Sequence, residues 1–379
     1  MTAKSRYDRL SSDRSQFLNT ARQAADLTLP YLIREDGSFT KGSLNLTTPW
    51  QSVGAKGVVT LASKLMLALL PPQTSFFKLQ VNDINIPGEL GPEVKSELDL
   101  SFAKVERTIM ESIAASSDRV VVHQALKHLV VSGNALIFMD KDILKLYPLN
   151  RYVVDRDGNG NVIEIVTKET ISKKLLKKAY PDYKEPQTNT PNEDSSQHND
   201  ECDIYTHCTR DNNRWVWHQE VYSEILPKSF SKAPLDANPW LVLRFNHVDG
   251  EVYGRGRVEE FIGDLKSLEA LSQALVEGSA AAAKIVFTVS PSSTTKPATL
   301  AKAGNGAIIS GRPDDIGVVQ VGKTADFQTA YQMVGTLTQR LSEAFLILNV
   351  RQSERTTAEE VRMTQMELEQ QLGGLFSLL

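Results

Sequence analysis

Two long amphipathic stretches constrain this chain more than any other feature. They run out and back between Tyr253 and about Arg355. The first covers about Arg257 to Ala283. Val258, Phe261, Ile262, Leu265, Leu268, Leu271, Leu275 and Val276 recur there at the three-and-four spacing of one helical face. The second covers about Asp326 to Leu348, with Phe327, Met333, Val334, Leu337, Leu341, Ala344, Phe345 and Leu348 on its stripe. At about 1.5 Å per residue the first helix is about 40 Å long. An insert rich in Gly, Pro, Ser and Thr joins the two, making a pin with a knob on its end. An apolar stripe on each helix needs a partner surface, so the pin is not expected to be stable alone.

The rest of the chain supplies a body. Residues 6–27 read as a helix with Tyr7, Leu10, Phe17, Ala21 and Ala24 inward. Pro49-Trp50 opens another that runs to Leu70, because proline suits a first turn. Its Gly54, Ala55 and Gly57 suit close packing against another backbone. Phe76 to Val81 reads as a short strand, and Pro92 to Ser116 as a helix. Asp118 is the expected N-cap of a helix that ends at Ser132-Gly133-Asn134. From Ala135 the period becomes that of strands. Hairpins are expected at Ala135–Met139 with Ile143–Leu146, at Tyr152–Val154 with Val162–Thr167, and at Cys202–Thr209 with Trp215–Tyr222. A short basic helix is expected over Ile171–Tyr180, and one more strand over Trp240–Phe245. Pro181 to Asp200 is poor in apolar residues and reads as a surface excursion. The class is therefore α+β: a mixed body over roughly 1–250, then the pin. Thr356-Thr357-Ala358-Glu359-Glu360 is a capping-box pattern opening a third long helix, which reaches Leu379 still apolar; further residues are expected to follow it in the natural polypeptide.

Composition narrows the function. The 379 residues are 41% hydrophobic and 23% charged, enough for a substantial core. A net charge of −4 argues against a bulk nucleic-acid coat, which would be basic. Cys202 and Cys208 are too few for a disulfide framework. Met1 to Arg14 lacks the apolar core of a signal peptide, and Val58 to Leu70 is too short to span a bilayer.

Motifs of chemistry are incomplete. Asp155 to Gly160 matches half a calcium loop, but the twelfth position is Val166 and the flanks are strands; it reads as a turn. His198, Cys202, His207 and Cys208 lack zinc-finger spacing. Tyr253-Gly254-Arg255-Gly256-Arg257 is half a phosphate loop without its Lys-Ser/Thr pair, so the glycines read as a sharp turn into the pin. Lys173-Lys174 and Lys177-Lys178 read as a solvated helix face. No catalytic constellation stands out, so no enzyme, metal or cofactor is expected. Charge along the pin says more. Its shaft carries Glu259, Glu260, Asp264, Glu269 and Glu277, its insert Lys284, Lys296, Lys302, Arg312 and Lys323, and the link after it Arg351 and Arg355. Identical acidic shafts around an axis would make a wall that holds few phosphates, so a duplex could slide past.

In this order the residues resemble a family, the portal or head-to-tail connector proteins of short-tailed (podovirus-type) double-stranded DNA bacteriophages. The resemblance rests on Ala21-Arg22 with Leu29-Pro30-Tyr31, Pro49 to Ala55 running into Leu61 to Leu65, Ala68 to Pro72, Gly133-Asn134-Ala135 and Tyr147-Pro148-Leu149. It continues through Tyr253 to Gly256 with Gly263-Asp264, Asn305-Gly306 with Gly311-Arg312, and Thr357 to Glu360 before Glu367-Leu368-Glu369. It implies a portal fold with a mixed wing at 1–252, stem helices at 253–283 and 326–348, and a small α/β clip at 284–325. A tunnel loop at 349–356 and a long wing helix at 357–379, leading toward a crown, complete it.

The resemblance further implies a dodecameric ring at one virion vertex, assembled in the host cytoplasm, through which DNA is packaged and ejected. Its partners would be further copies, double-stranded DNA, terminase, scaffolding protein, major capsid protein, tail adaptor or tube proteins and internal core proteins, with no membrane. On that reading Arg351 and Arg355 touch DNA, Arg312, Lys323 and Lys302 meet motor, adaptor or DNA, and Glu259, Glu260, Asp264 and Glu269 face the channel. The rival readings are a scaffold or adaptor without a channel, and a DNA-processing enzyme of the packaging machinery.

Overall fold

The structure is a computed structural model. It describes residues 2–34, 46–71, 75–80, 92–141, 143–183, 201–211, 213–282, 286–289, 296, 298, 302, 316–319 and 324–347. The expected third long helix, the link at 349–356, Arg312, Lys323 and His198 lie outside the described residues. The chain divides into two compact units, Asp264–Leu341 and the remainder before and after it.

The first unit opens with α1 (Ala3–Asp26), α2 (Val53–Leu69), α3 (Pro92–Ala115) and α4 (Asp118–Ser132). Thr2 caps α1 by accepting from Ser5 N at 3.3 Å. The buried Glu220 takes a further orphan donor, Ala3 N, at 2.6 Å. The expected Tyr7, Leu10, Ala21 and Ala24 are buried on α1, but so is Arg14, at 3% exposure. Arg14 spends its charge on the carbonyls of Leu149 and Tyr152 and on the Tyr7 hydroxyl. Three boundary expectations change. α2 starts at Val53 rather than at Pro49-Trp50. Ser117, not Asp118, is the α4 N-cap residue, and its side chain makes no capping bond. Phe76–Gln80 is irregular rather than a strand, with Leu79 N held by Glu106 at 2.6 Å.

Strands β1 (Asn134–Met139), β2 (Leu144–Tyr147) and β9 (Trp240–Arg244) form a sheet in the order β2-β1-β9. A larger sheet holds β3 (Tyr152–Arg156), β4 (Val162–Ser172), β5 (Glu201–Asp211), β6 (Arg214–Val221) and β7 (Glu224–Ile225), in that order, with β8 (Ser231–Pro234) beside β6. All three expected hairpins are present. The basic helix is shorter than expected, α5 (Lys173–Ala179), because β4 runs on to Ser172 to keep pairing with Glu201. Arg6 on α1 ties to this sheet through Glu164 (2.6 Å) and Asp155 (2.8 Å). Burial alone would raise the Glu164 carboxyl, but hydrogen bonds from His207 and Arg6 outweigh it and hold it below the usual range.

A short helix, α6 (Arg257–Glu260), is followed by a long one, α7 (Ile262–Ala282); the expected single helix breaks at Phe261. Beyond α7 lie β10 (Val286–Val289) and β11 (Ile316–Val319), paired antiparallel, and α8 (Thr324–Ala344). Within the second unit, Asp264 pairs with Arg340 at 2.9 Å, and Gly278 sits against the Phe327 ring. Those two contacts, 264 with 340 and 278 with 327, set α7 and α8 antiparallel. Val276 (53% exposed) and Met333 (52%) were expected on the inward stripes and lie outside them.

The chain re-enters the first unit on a strained stop. Leu346 adopts a left-handed φ of 55°, which costs a branched residue about 1 kcal/mol or more. Burial of Phe345 and Leu346, and a 2.7 Å bond from Lys64 Nζ to Leu346 O, hold it there. Gly57 makes room: a Cβ on it would meet Phe345 Cγ at 2.7 Å. The small residue on α2 thus admits an aromatic side chain rather than another backbone. Among the described residues no helix is long and apolar enough to cross a membrane.

His128 is buried on α4 with no partner for its Nδ1 among the described residues, and burial, with a smaller contribution from Lys127, pushes it down to about 4. The unfolded chain takes up that proton near pH 6.5 and the folded one does not. The stability is therefore complete above pH 6.5 and falls as the pH drops toward 4. Between pH 7.5 and 5 the expected loss is about 2 kcal/mol. Chemical denaturation of His128→Leu beside the parent chain at both pH values checks it: the variant should lose about 2 kcal/mol less than the parent over that interval.

Candidate functional site

The point at which the body passes into the outgoing helices is built from two motifs far apart in sequence. Gly133-Asn134 ends α4 and starts β1; Tyr253 to Arg257 starts the outgoing segment. The Asn134 side chain reads the Gly254 peptide from both sides. Its Oδ1 accepts from Gly254 N at 2.7 Å, and its Nδ2 donates to Gly254 O at 2.7 Å. Asn134 is 1% exposed, so each bond replaces water that cannot reach it. Gly133 O accepts from Phe245 N at 2.9 Å, and Asn246 and Arg255 exchange both backbone bonds at 2.9 and 3.1 Å.

The glycines serve contact rather than turning. Gly133 does need its left-handed φ of +73°, closing α4 by donating to Leu129 O. Gly254 and Gly256 do not. Gly256 is extended, φ −84°, and a Cβ there would meet Val131 O at 2.6 Å. A Cβ on Gly254 would meet Gly133 O at 2.7 Å. The expectation of a sharp glycine turn is thus replaced by one of backbones in direct contact, which only glycine allows. Tyr253 anchors the segment from the other side. It is 2% exposed, accepts from Val154 N at 3.1 Å, and packs its ring 5.4 Å from that of Phe17. Burial pushes its hydroxyl up to about 12.

Charge at the junction is largely matched. Arg255 grips Glu251 with two bonds, Nε at 2.8 Å and Nη2 at 2.5 Å, and also pairs with Glu259. The Glu251 bonds raise the arginine and lower the glutamate from their ordinary ranges. Arg257 pairs with Glu260 at 2.5 Å, and Asn246 donates to the same carboxylate at 2.7 Å. Glu259, Glu260 and Asp264 are therefore each tied to an arginine, while Glu269 is half-buried. Sequence reasoning found the acidic residues but missed their partners; the spacing of Arg255 and Arg257 from Glu259 and Glu260 was an available signal, while nothing local marks Arg340 as the partner of Asp264. Lys302 is exposed. The remaining residues singled out for contact, Arg312, Lys323, Arg351 and Arg355, lie outside the described residues.

The other motifs resolve into local structure. Asp157 Oδ1 accepts from Asn159 N (3.0 Å) and Asn161 N (2.7 Å), the side-chain bonding of a tight turn. His207 bonds Glu164 at 2.6 Å, and Cys202 and Cys208 are buried free thiols. Among the described residues no group of three or more His, Cys, Asp or Glu is placed to hold a metal ion.

Comparisons with known proteins give the chain's class. The model of a family described as bacteriophage head to tail connecting protein matches residues 1–379. The chain is 38% identical over 388 residues to the portal protein of Escherichia phage T7, covering 100% of this chain and 71% of that protein. It is 38% identical to that of Enterobacteria phage T3 over 387 residues, with the same coverage. With the portal protein of Enterobacteria phage SP6 it is 30% identical over 381 residues, 98% of this chain and 72% of that one. Among solved structures, a chain in the native gene transfer agent virion aligns over 81% of this chain and 68% of its own, at 11% identity and a TM-score of 0.39.

The chain belongs to the bacteriophage head-to-tail connecting proteins. Its function is that of a portal, a structural connector of the virion's head–tail junction rather than an enzyme.

Asn134→Ala would leave both polar groups of the Gly254 peptide buried and unpaired, at a cost of about 2–4 kcal/mol. Gly256→Ala forces backbone movement and should cost about 3 kcal/mol or prevent folding. Urea midpoints of the two variants against the parent chain test both, and a change under about 0.5 kcal/mol in either would contradict the described junction.

Proposed function

We propose that copies of this chain form a closed ring around a channel for double-stranded DNA. In this reading residues 1–252 are the wing, 253–283 and 326–348 the stem, 284–325 the clip, 349–356 a loop at the channel and 357–379 a further wing helix. What carries the reading is apolar surface that one chain leaves uncovered in a protein of the connector family. α3 runs for 24 residues without one fully buried side chain among those described, and Val94, Leu100, Val105 and Ile109 stand out from it at 38–63% exposure. Val276 on α7, and Tyr331 (73%) and Met333 on α8, are likewise exposed. Burying such faces against identical neighbours is the means by which a closed ring gains stability, at about 25 cal/mol per Å² of apolar area.

The shaft is less acidic in effect than its composition suggests, because Glu259, Glu260 and Asp264 each have an arginine beside them. A neutralised wall still offers a duplex few unpaired cations to bind, which suits DNA that must slide. On this reading Arg351 and Arg355 touch passing phosphates. Arg312, Lys323 and Lys302 meet the packaging motor, an adaptor or DNA. Terminase docks at the clip, scaffolding, major capsid, internal core and tail adaptor proteins are further partners of the ring, and assembly takes place in the host cytoplasm.

Mass measurement in solution with negative-stain imaging tests the ring. A single large, closed stoichiometry with a central hole is expected; monodisperse monomers would overturn it. With rings intact, Arg351→Ala together with Arg355→Ala should change DNA packaging or retention in a translocation assay. An unchanged phenotype removes those two residues from the channel.

A further inference from the structure

A cavity of about 350 Å³ opens between the two sheets of the first unit. Its walls come from both: Phe138, Tyr147 and Trp240 from the smaller sheet, Trp217 from the larger, and Tyr180 from just beyond α5. Four of these rings, Phe138, Trp240, Trp217 and Tyr147, pack against one another. Phe138 lies 4.2 Å from Trp240 and 6.4 Å from Trp217, and Trp240 lies 6.4 Å from Trp217 and 6.1 Å from Tyr147. Trp240 is buried to 4% exposure, while Phe138, Trp217 and Tyr180 are half-buried.

The charges lining the cavity do not cancel once their pairings are followed. Lys145 is held by Glu169 at 2.5 Å, and Glu169 also accepts from the Tyr147 hydroxyl at 3.1 Å. Lys228 is held at 2.9 Å by Asp182. That leaves Asp140, at the exposed rim. Among the described residues its carboxylate accepts only the backbone N–H of Lys141, at 2.8 Å. A pocket walled by aromatic faces, with one carboxylate lacking a cation, has the chemistry of a cation site. The fold already contains one such contact there, since Lys145 Nζ lies over the Tyr147 ring at 5.1 Å.

We propose that this cavity receives an arginine side chain of a partner protein. Its guanidinium lies against the Trp217, Phe138 and Tyr180 rings and pairs with Asp140. Arginine fits better than lysine because its planar, weakly hydrated head stacks on rings while its edge N–H groups remain free for a carboxylate. The partner is a protein segment rather than nucleic acid, because the unmatched charge is negative and would repel phosphate. The ring-shaped assembly is not required: every lining residue lies within one chain's first unit.

The test uses the full chain and three blocked tripeptides, Gly-Arg-Gly, Gly-Gln-Gly and Gly-Pro-Gly, read by tryptophan fluorescence and titration calorimetry. The arginine peptide should bind saturably and change the emission. Asp140→Asn should weaken it about 5-fold, the effect of a partly exposed ion pair. This rim substitution replaces no buried group, so folding is unaffected. Trp217→Phe keeps a ring face and should retain binding while losing much of the emission change. Equal response to the arginine and glutamine peptides, or an Asp140→Asn affinity equal to the parent's, overturns the proposal. Tighter binding of the proline peptide overturns it in favour of a proline-reading groove.

Discussion

The outgoing segment of this protein's first unit is held by the contact of Gly133-Asn134 with Gly254 and Gly256. Two backbones approach there until a single methyl group on Gly254 or Gly256 would strike a carbonyl oxygen. The Asn134 amide then binds both polar groups of the Gly254 peptide. Directionality distinguishes this from ordinary apolar packing. Hydrogen bonds to a peptide fix position and angle together, whereas apolar surfaces tolerate sliding. The start of α6 is therefore set by the end of α4, about 120 residues earlier.

The joint is reinforced outward in layers. Tyr253 plugs into the region beneath β3 and α1, bonded to Val154. Arg255 ties Glu251, before the joint, to Glu259, after it. α1 is fixed in turn by Glu220 at its N-terminus, by Arg6 to the larger sheet, and by Arg14 on the Leu149 and Tyr152 carbonyls. Such charged anchors would be expensive without partners, and each has at least two. The returning chain uses a different device. Leu346 accepts backbone strain because Phe345 fills the space left by Gly57 and Lys64 bonds the Leu346 carbonyl.

Much of the fold was legible because period and turn chemistry are local. The Asp157 to Gly160 turn announced the β3–β4 hairpin, and alternation announced β5 and β6. Boundaries slipped where a tertiary contact outvoted a local preference. β4 overran the expected helix start because Ser172 had a strand partner in Glu201. Phe76–Gln80 had strand-like residues but pairs with no strand among the described residues, and Glu106 takes the Leu79 N–H. β9 pairs with β1, which precedes it by about a hundred residues, and no local signal names a partner so distant. At the junction the glycines were visible and their reason was not. A glycine that serves a turn and one that serves contact look alike in sequence, and only the neighbouring backbone tells them apart.

The sequence by itself determined the class of elements, their order and the family. Hydrophobic period and turn residues act within a few positions, and a series of short motifs in fixed order specifies a lineage. It also determined that the outgoing and returning helices carry charge along their length. Only the tertiary structure decided what that charge amounts to, since an acidic residue beside an arginine presents little field to its surroundings. Likewise it alone decided that, among the described residues, Asp140 has no cation partner beside an aromatic cavity. Pairing and burial depend on distances between residues far apart in the chain, and those distances exist only once the body has folded.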